Sequence, residues 1–175
     1  MDIKNLTYMT FNEKLALIQD PKTPGDILRN FSQDEDSWLR GRVAYNPNTP
    51  EDALQDLAKD AYWGVRGCVG HNKSTPLSIL EYLAKDDYWG VREHVAKNPN
   101  SPKDILRDLA KDEHAGVRRM VIKNPRITSS ILVLVFEHEK SLTHPGITVV
   151  QDLYKNKKLP IGVKRVIETL YGELI

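Results

Sequence analysis

One step of 26 residues runs through this chain without slippage. Pro24, Pro50, Pro76 and Pro102 are separated by it, as are Arg40, Arg66, Arg92 and Arg118, Asn46, Asn72, Asn98 and Asn124, and Asp34, Asp60, Asp86 and Asp112. Leu28, Leu54, Leu80, Leu106 and Leu132 keep the same interval. A copy this short holds two short elements at most and cannot close a core alone, so copies must bury their apolar faces against one another.

The composition of the unit says which elements these are. Each copy opens on Thr23, Thr49, Thr75 or Ser101 followed by proline. The hydroxyl is expected to accept a hydrogen bond from a first-turn amide, with proline at N1, where its missing N–H is no loss. Asp26, Asp52 and Asp104, with Ser78 in the third copy, then fall at N3 beside the positive end of the helix. Ile79, Leu80, Leu83 and Ala84, and again Ile105, Leu106, Leu109 and Ala110, put one face of this first helix inward. The second helix carries Val65 and Val69, Val91 and Val95, or Val117 and Val121, and closes at Asn-Pro because a residue before proline is pushed out of the helical region. Helices of about ten residues do not persist alone in water. Burial of several Leu and Val side chains per copy, each worth about 1.5–3 kcal/mol, stabilises them only when copies stack.

The ends are modified. Thr10-Phe11-Asn12-Glu13 is a capping box, which predicts a helix starting near Phe11. One step before the first full copy, Lys14 stands where later units have arginine. After Pro125 the period fails, and helices are expected over 129–139, 147–155 and 161–172, with His144-Pro145-Gly146 as a turn.

The repeating text V-R-x-x-V-A-x-N-P-x-[TS]-P-x-x-x-L-x-x-L-A-x-D, carried by residues 14–132, resembles the leucine-rich repeat variant family of bacterial proteins. The resemblance implies an all-α fold, a right-handed α-solenoid of four full two-helix repeats (24–49, 50–75, 76–101 and 102–127). An N-terminal capping half-repeat (1–23) precedes them, and a modified repeat with a C-terminal helical cap (128–175) follows. It also implies a non-enzymatic scaffold that binds protein or peptide, since solenoids of this kind are mostly binding surfaces. Some relatives carry a cysteine cluster ahead of the repeats, which this sequence lacks. HEAT-like DNA glycosylases share only the architecture, so no catalytic residue is carried over from them.

Charge and cysteine content narrow the classes further. The 25 Lys+Arg balance 24 Asp+Glu to a net charge of +1, so no overall field announces nucleic acid or membrane. Cys68 is the single cysteine and cannot by itself form an internal disulfide, a cluster or a structural zinc site. The five histidines have no metal-ligand spacing, and no nucleophile elbow or phosphate-cradling glycine loop is present. No cofactor or metal is expected. The apolar run Ile131–Phe136 is far too short to span a bilayer, and the first residues lack a secretory apolar run, which predicts a cytoplasmic protein, here read as a monomer.

Two sets of residues are candidates for function. Asp34, Asp60, Asp86 and Asp112 precede Arg40, Arg66, Arg92 and Arg118 by six residues across the inter-helix turn. They are read as a structural ladder of ion pairs within or between adjacent copies; the other reading is a row of cations for phosphates. The second-helix segments 40–48, 66–74, 92–100 and 118–126 hold ten Lys/Arg against Glu93 alone. With the ladder arginines and Lys73 set aside, Arg42, Lys97, Arg119, Lys123 and Arg126 remain, a basic stripe that makes nucleic-acid binding the alternative function. In HEAT-like arrays the second helices line the concave side, which makes Arg42, Tyr45, His71, His94, Lys97, Arg119, Lys123 and Arg126 the candidate binding face. Variation between copies at fixed register suits a recognition surface and equally suits unconstrained solvent positions. Trp38, Tyr62-Trp63 and Tyr88-Trp89 are read as packing over the neighbouring copy, with base stacking as the other possibility.

Overall fold

The computed structural model describes Leu6 and residues 8–175. Among the described residues there are twelve α-helices and no strand: α1 (Phe11–Gln19), α2 (Gly25–Phe31), α3 (Ser37–Tyr45), α4 (Glu51–Leu57), α5 (Trp63–His71), α6 (Leu77–Leu83), α7 (Trp89–Lys97), α8 (Lys103–Leu109), α9 (Ala115–Lys123), α10 (Ser129–Ser141), α11 (Ile147–Lys155) and α12 (Ile161–Tyr171). No helix among them is long and apolar enough to cross a membrane. The chain divides into two compact units, Met1–Asn98 and Pro99–Ile175.

In the first unit, helices of seven residues alternate with helices of nine. Thr10 starts α1 with both halves of the capping box in place. The other starts differ from expectation. Pro24, Pro50 and Pro76 are themselves the N-caps, in extended conformation, so Asp26 and Asp52 fall at N2, one position earlier than the N3 expected. Their preceding threonines do not accept from the first turn. They donate backwards: Thr23 to Leu17 O (2.5 Å), Thr49 to Val43 O (2.5 Å) and Thr75 to Val69 O (2.6 Å). The reason is supply and demand at a tight corner. The last-turn carbonyl of each nine-residue helix there accepts both the C-cap amide and the buried hydroxyl, using both of its lone pairs.

The asparagines finish that corner. Asn46 donates its side-chain amide to Ile18 O (2.7 Å) and Asp20 O (3.0 Å), Asn72 to Ala44 O (2.8 Å) and Asn46 O (2.9 Å), and Asn98 to Gly70 O (2.8 Å) and Asn72 O (2.9 Å). The Asn46 and Asn72 side-chain oxygens accept the amide two residues on, which turns the chain. Asn72 adopts the same extended conformation before Lys73 that Asn46 adopts before Pro47. The asparagine bonds therefore set the corner, and proline is dispensable there.

Packing completes the unit. The helices α1, α3, α5 and α7 pack in sequence, each against the next. Leu39, Val43, Val65, Val69, Val91 and Val95 on the nine-residue helices, and Leu28, Leu54, Leu57, Leu80 and Leu83 on the seven-residue ones, are 2 % exposed or less.

In the second unit α8 and α9 repeat the pair, and α10 and α11 make a longer version of it. The extra length lies in α10, thirteen residues where the others have seven. Leu132 is still fully buried, and Asn156 still donates to the carbonyl of the preceding long helix, Ile122 O, at 3.1 Å. Of α12, only Ile167 is buried.

Candidate binding face

The ladder forms in the first unit between successive helix pairs. Arg40 Nε and Nη2 meet the Asp60 carboxylate at 2.6 and 3.0 Å, and Arg66 meets Asp86 at 2.7 and 2.9 Å. Lys14 bonds Asp34 at 2.6 Å in the same relation. The remaining guanidinium nitrogen turns back on its own copy: Arg40 Nη1 to Asp34 O, Arg66 Nη1 to Asp60 O and Arg92 Nη1 to Asp86 O. Each aspartate also accepts the amide two residues on, as Asp60 does from Tyr62 and Asp86 from Tyr88. Burial would push the Asp60 carboxyl up; the Arg40 bond, the Tyr62 amide and the charges of Arg40 and Arg66 together hold it below the usual carboxylate range. The same balance, through Arg66, the Tyr88 amide and the charge of Arg92, holds Asp86 down.

In the second unit Arg118 donates to Asp112 O and Glu113 O, and its Nε lies 2.5 Å from Glu139. Glu139 is fully buried and also accepts the Gly146 amide. It takes the place that aspartate holds in the first unit, displaced by the lengthening of α10. Asp112, the last ladder aspartate, accepts the His114 amide at 2.8 Å.

The candidate face residues fall in both units. In the first, Arg42 and Tyr45 lie on α3, His71 on α5, and His94 and Lys97 on α7. The Tyr45 ring stacks on His71 at 5.2 Å and 11°, with its hydroxyl 3.4 Å from Nε2, and His71 meets His94 edge-on at 5.7 Å. Arg42 lies over the Trp38 ring at 5.5 Å and the Tyr45 ring at 5.9 Å. Two clefts flank Tyr45, one of 310 Å³ lined by Gln19, Pro21, Arg42 and Pro47, the other of 230 Å³ lined by Pro47, His71, Asn72 and Lys73. Burial, then the charges of Lys97 and Lys73, lower the His71 pKa; burial, then His71 and Lys97, lower that of His94. The face therefore presents neutral imidazoles at neutral pH. Room for these rings comes from small neighbours: a Cβ on Gly67 would lie 3.0 Å from the His94 ring.

In the second unit Arg119 and Lys123 are drawn to Asp152 of α11, at 2.8 and 3.2 Å. Arg126 is exposed and donates to Asn100 O at 3.3 Å. Two cations of the expected basic stripe thus share one carboxylate that lies beyond the periodic text and offsets one of their two charges.

Cys68 is half-buried, and burial, only partly opposed by Arg42, pushes its thiol up. That is the behaviour of a small packing residue. Among the described residues no three His, Cys, Asp or Glu side chains gather in a way that would hold a metal ion. Compared with family models, with curated proteins and with solved structures, the chain finds no match in any of the three.

Proposed function

We propose that the chain is a right-handed α-solenoid of the leucine-rich-variant kind, a cytoplasmic, monomeric, non-enzymatic scaffold whose second-helix face binds a protein or peptide. One observation carries the reading: the polar residues that recur every 26 positions are consumed in internal bonds, whereas Arg42, Tyr45, His71, His94 and Lys97, which vary at fixed register, are exposed or half-buried. Asparagine, threonine, arginine and aspartate tie helix to helix. Arg42, Tyr45, His71, His94 and Lys97 share adjoining helices, and the first four make ring contacts in sequence, Arg42 to Tyr45, Tyr45 to His71 and His71 to His94. Stacked aromatic rings beside adaptable polar groups are what protein interfaces are enriched in. The nucleic-acid alternative keeps Arg42, Lys97 and Arg126, while Asp152 offsets one of the two charges of Arg119 and Lys123.

Capture from native cell extract with the intact protein, with and without nuclease, tests the reading. A protein retained in both conditions by the native chain and lost with the double variant Tyr45→Ala, Lys97→Glu supports it. Retention that disappears on nuclease treatment, and falls steeply between low and moderate salt, overturns it in favour of nucleic acid.

A further inference from the structure

The two clefts beside Tyr45 lie at successive corners of the first unit, and their walls match in kind. The larger, of 310 Å³, has Arg42 beside Pro21, Tyr45 and Pro47; the smaller, of 230 Å³, has Lys73 beside Tyr45, Pro47 and His71. Each sets one cation among rings and proline carbons, and no carboxylate lines either. Asp20, the acidic residue nearest in sequence to the larger cleft, bends back to accept the Lys22 amide at 2.8 Å. Both volumes lie at or below the low end for small-molecule pockets, so each suits a single side chain.

The charge on this face is not spent internally. Lys14, Arg40, Arg66, Arg119 and Lys123 form ion pairs, whereas Arg42 and Lys97 form none among the described residues. Lys97 is exposed on α7, and Arg42 is half-buried with its guanidinium over the Trp38 and Tyr45 rings. After burial, Lys97 and Lys73 lower the His71 pKa, and His71 and Lys97 lower that of His94; no carboxylate opposes them at either ring. Glu93 is the single acidic residue on α3, α5 and α7, so the potential over the face is positive.

Helix spacing sets the period of a ligand. The helices α3, α5 and α7 pack each against the next, and packed helices lie about 8–10 Å apart. A chain in the polyproline II conformation rises about 3.1 Å per residue with three residues per turn, so every third side chain points the same way, about 9 Å beyond the last. Laid across the three helices, such a chain places every third residue over a successive helix.

We propose that the second-helix face of the first unit takes an extended acidic segment of a partner protein, whose carboxylates, at every third residue, meet Arg42, Lys73 and Lys97 in turn. The Tyr45 ring already holds His71 and Arg42, which makes it a fixed wall between the clefts and leaves less of it for a base to stack on. Acidic peptide is therefore favoured over nucleic acid. The proposal rests on the protein-binding reading above and gives the partner its chemistry.

Isothermal titration of the full chain at low salt with a capped peptide of repeated Glu-Pro-Ser tests it, beside a Lys-Pro-Ser peptide, a peptide of the same composition with its glutamates contiguous, and oligothymidine. Saturable binding of the Glu-Pro-Ser peptide, weaker binding of the contiguous one and none of the Lys-Pro-Ser peptide are expected. Arg42→Glu with Lys97→Glu should weaken binding roughly ten-fold, Lys97→Glu alone roughly three-fold, and Lys59→Glu, which lines neither cleft, not at all. Lys97→Glu, at an exposed position, keeps the test valid if the double variant unfolds. No binding of the Glu-Pro-Ser peptide, equal binding of the lysine or contiguous peptide, tighter binding of oligothymidine, or native affinity in Lys97→Glu overturns the proposal. If the peptide fails while capture from extract still depends on Tyr45 and Lys97, this proposal falls and the protein-binding reading stands; if that capture fails too, both fall.

Discussion

Asn72 shows how one side chain serves two copies at once. Its amide reaches Ala44 O and Asn46 O, carbonyls at the end of α3, while its oxygen accepts the Ser74 amide within its own corner. Ala44 O lies in the last turn of α3, where the helix supplies no amide to it, and Asn72 is 4 % exposed, so water is not a ready substitute. Asn72→Ala leaves a buried carbonyl unmatched and should lower unfolding stability by about 2–4 kcal/mol, read from the urea midpoint. Asn72→Asp should do at least as much harm, because it replaces a donor with an acceptor opposite two carbonyls. A variant with the native midpoint would show that the corner is held by packing alone. The recurrence of Asn46, Asn72, Asn98 and Asn124 was plain in the sequence, but its purpose was not. Recurrence marks a position as constrained without saying whether the donor or the acceptor end of the amide is in use.

Helix boundaries were the more legible layer. The expected starts at Phe11, 129, 147 and 161 lie at the observed ones, since capping boxes, prolines and apolar spacing act within one turn. Legibility ended where a partner comes from far along the chain. Glu139 takes the aspartate's place only because α10 is longer, and Asp152 reaches Arg119 from thirty-three residues away. No local pattern encodes either. The turns joining short to long helices and the histidines on the long helices carry the pH response. Burial would raise the Asp60 and Asp86 carboxyls, but the arginine bonds, backbone amides and arginine charges together hold them below the ordinary value of 3.8, so they contribute stability that is complete above that value. It is lost as pH falls through the lower folded values. His71 and His94, lowered chiefly by burial from 6.5, contribute stability complete above 6.5 and lost as pH falls through their own lower values. Urea midpoints measured from pH 8 to pH 3 should therefore decline in two stages, the first following the histidine ring signals by NMR. Asp86→Asn should remove part of the second stage and leave the first; a second stage unchanged in that variant would place the acid response elsewhere.

For the molecule as a whole, the proposed solenoid makes a demand that a single closed core does not. If successive copies are interchangeable, removing residues 50–75 joins Thr49 to Pro76 and leaves every donor facing an equivalent acceptor. Arg40 would then meet Asp86 in place of Asp60, and Asn98 would meet Ala44 O and Asn46 O in place of Gly70 O and Asn72 O. Stability in such arrays is roughly a sum over copies and their interfaces, so the shortened chain should lose one copy and one interface and still unfold cooperatively. Removing residues 50–72 instead takes out almost as much chain but shifts the register by three residues. That shift leaves Lys73, Ser74 and Thr75 as an insertion in the corner, which parts Thr49 from Pro76 and disturbs the bonds by which the asparagine and threonine set that corner. The expected outcome is a folded, slightly less stable protein from the first deletion and a poorly folded one from the second, read by circular dichroism and thermal unfolding. Equal loss of structure in both would mean that the copies are not interchangeable, and the repeat reading would fall with them.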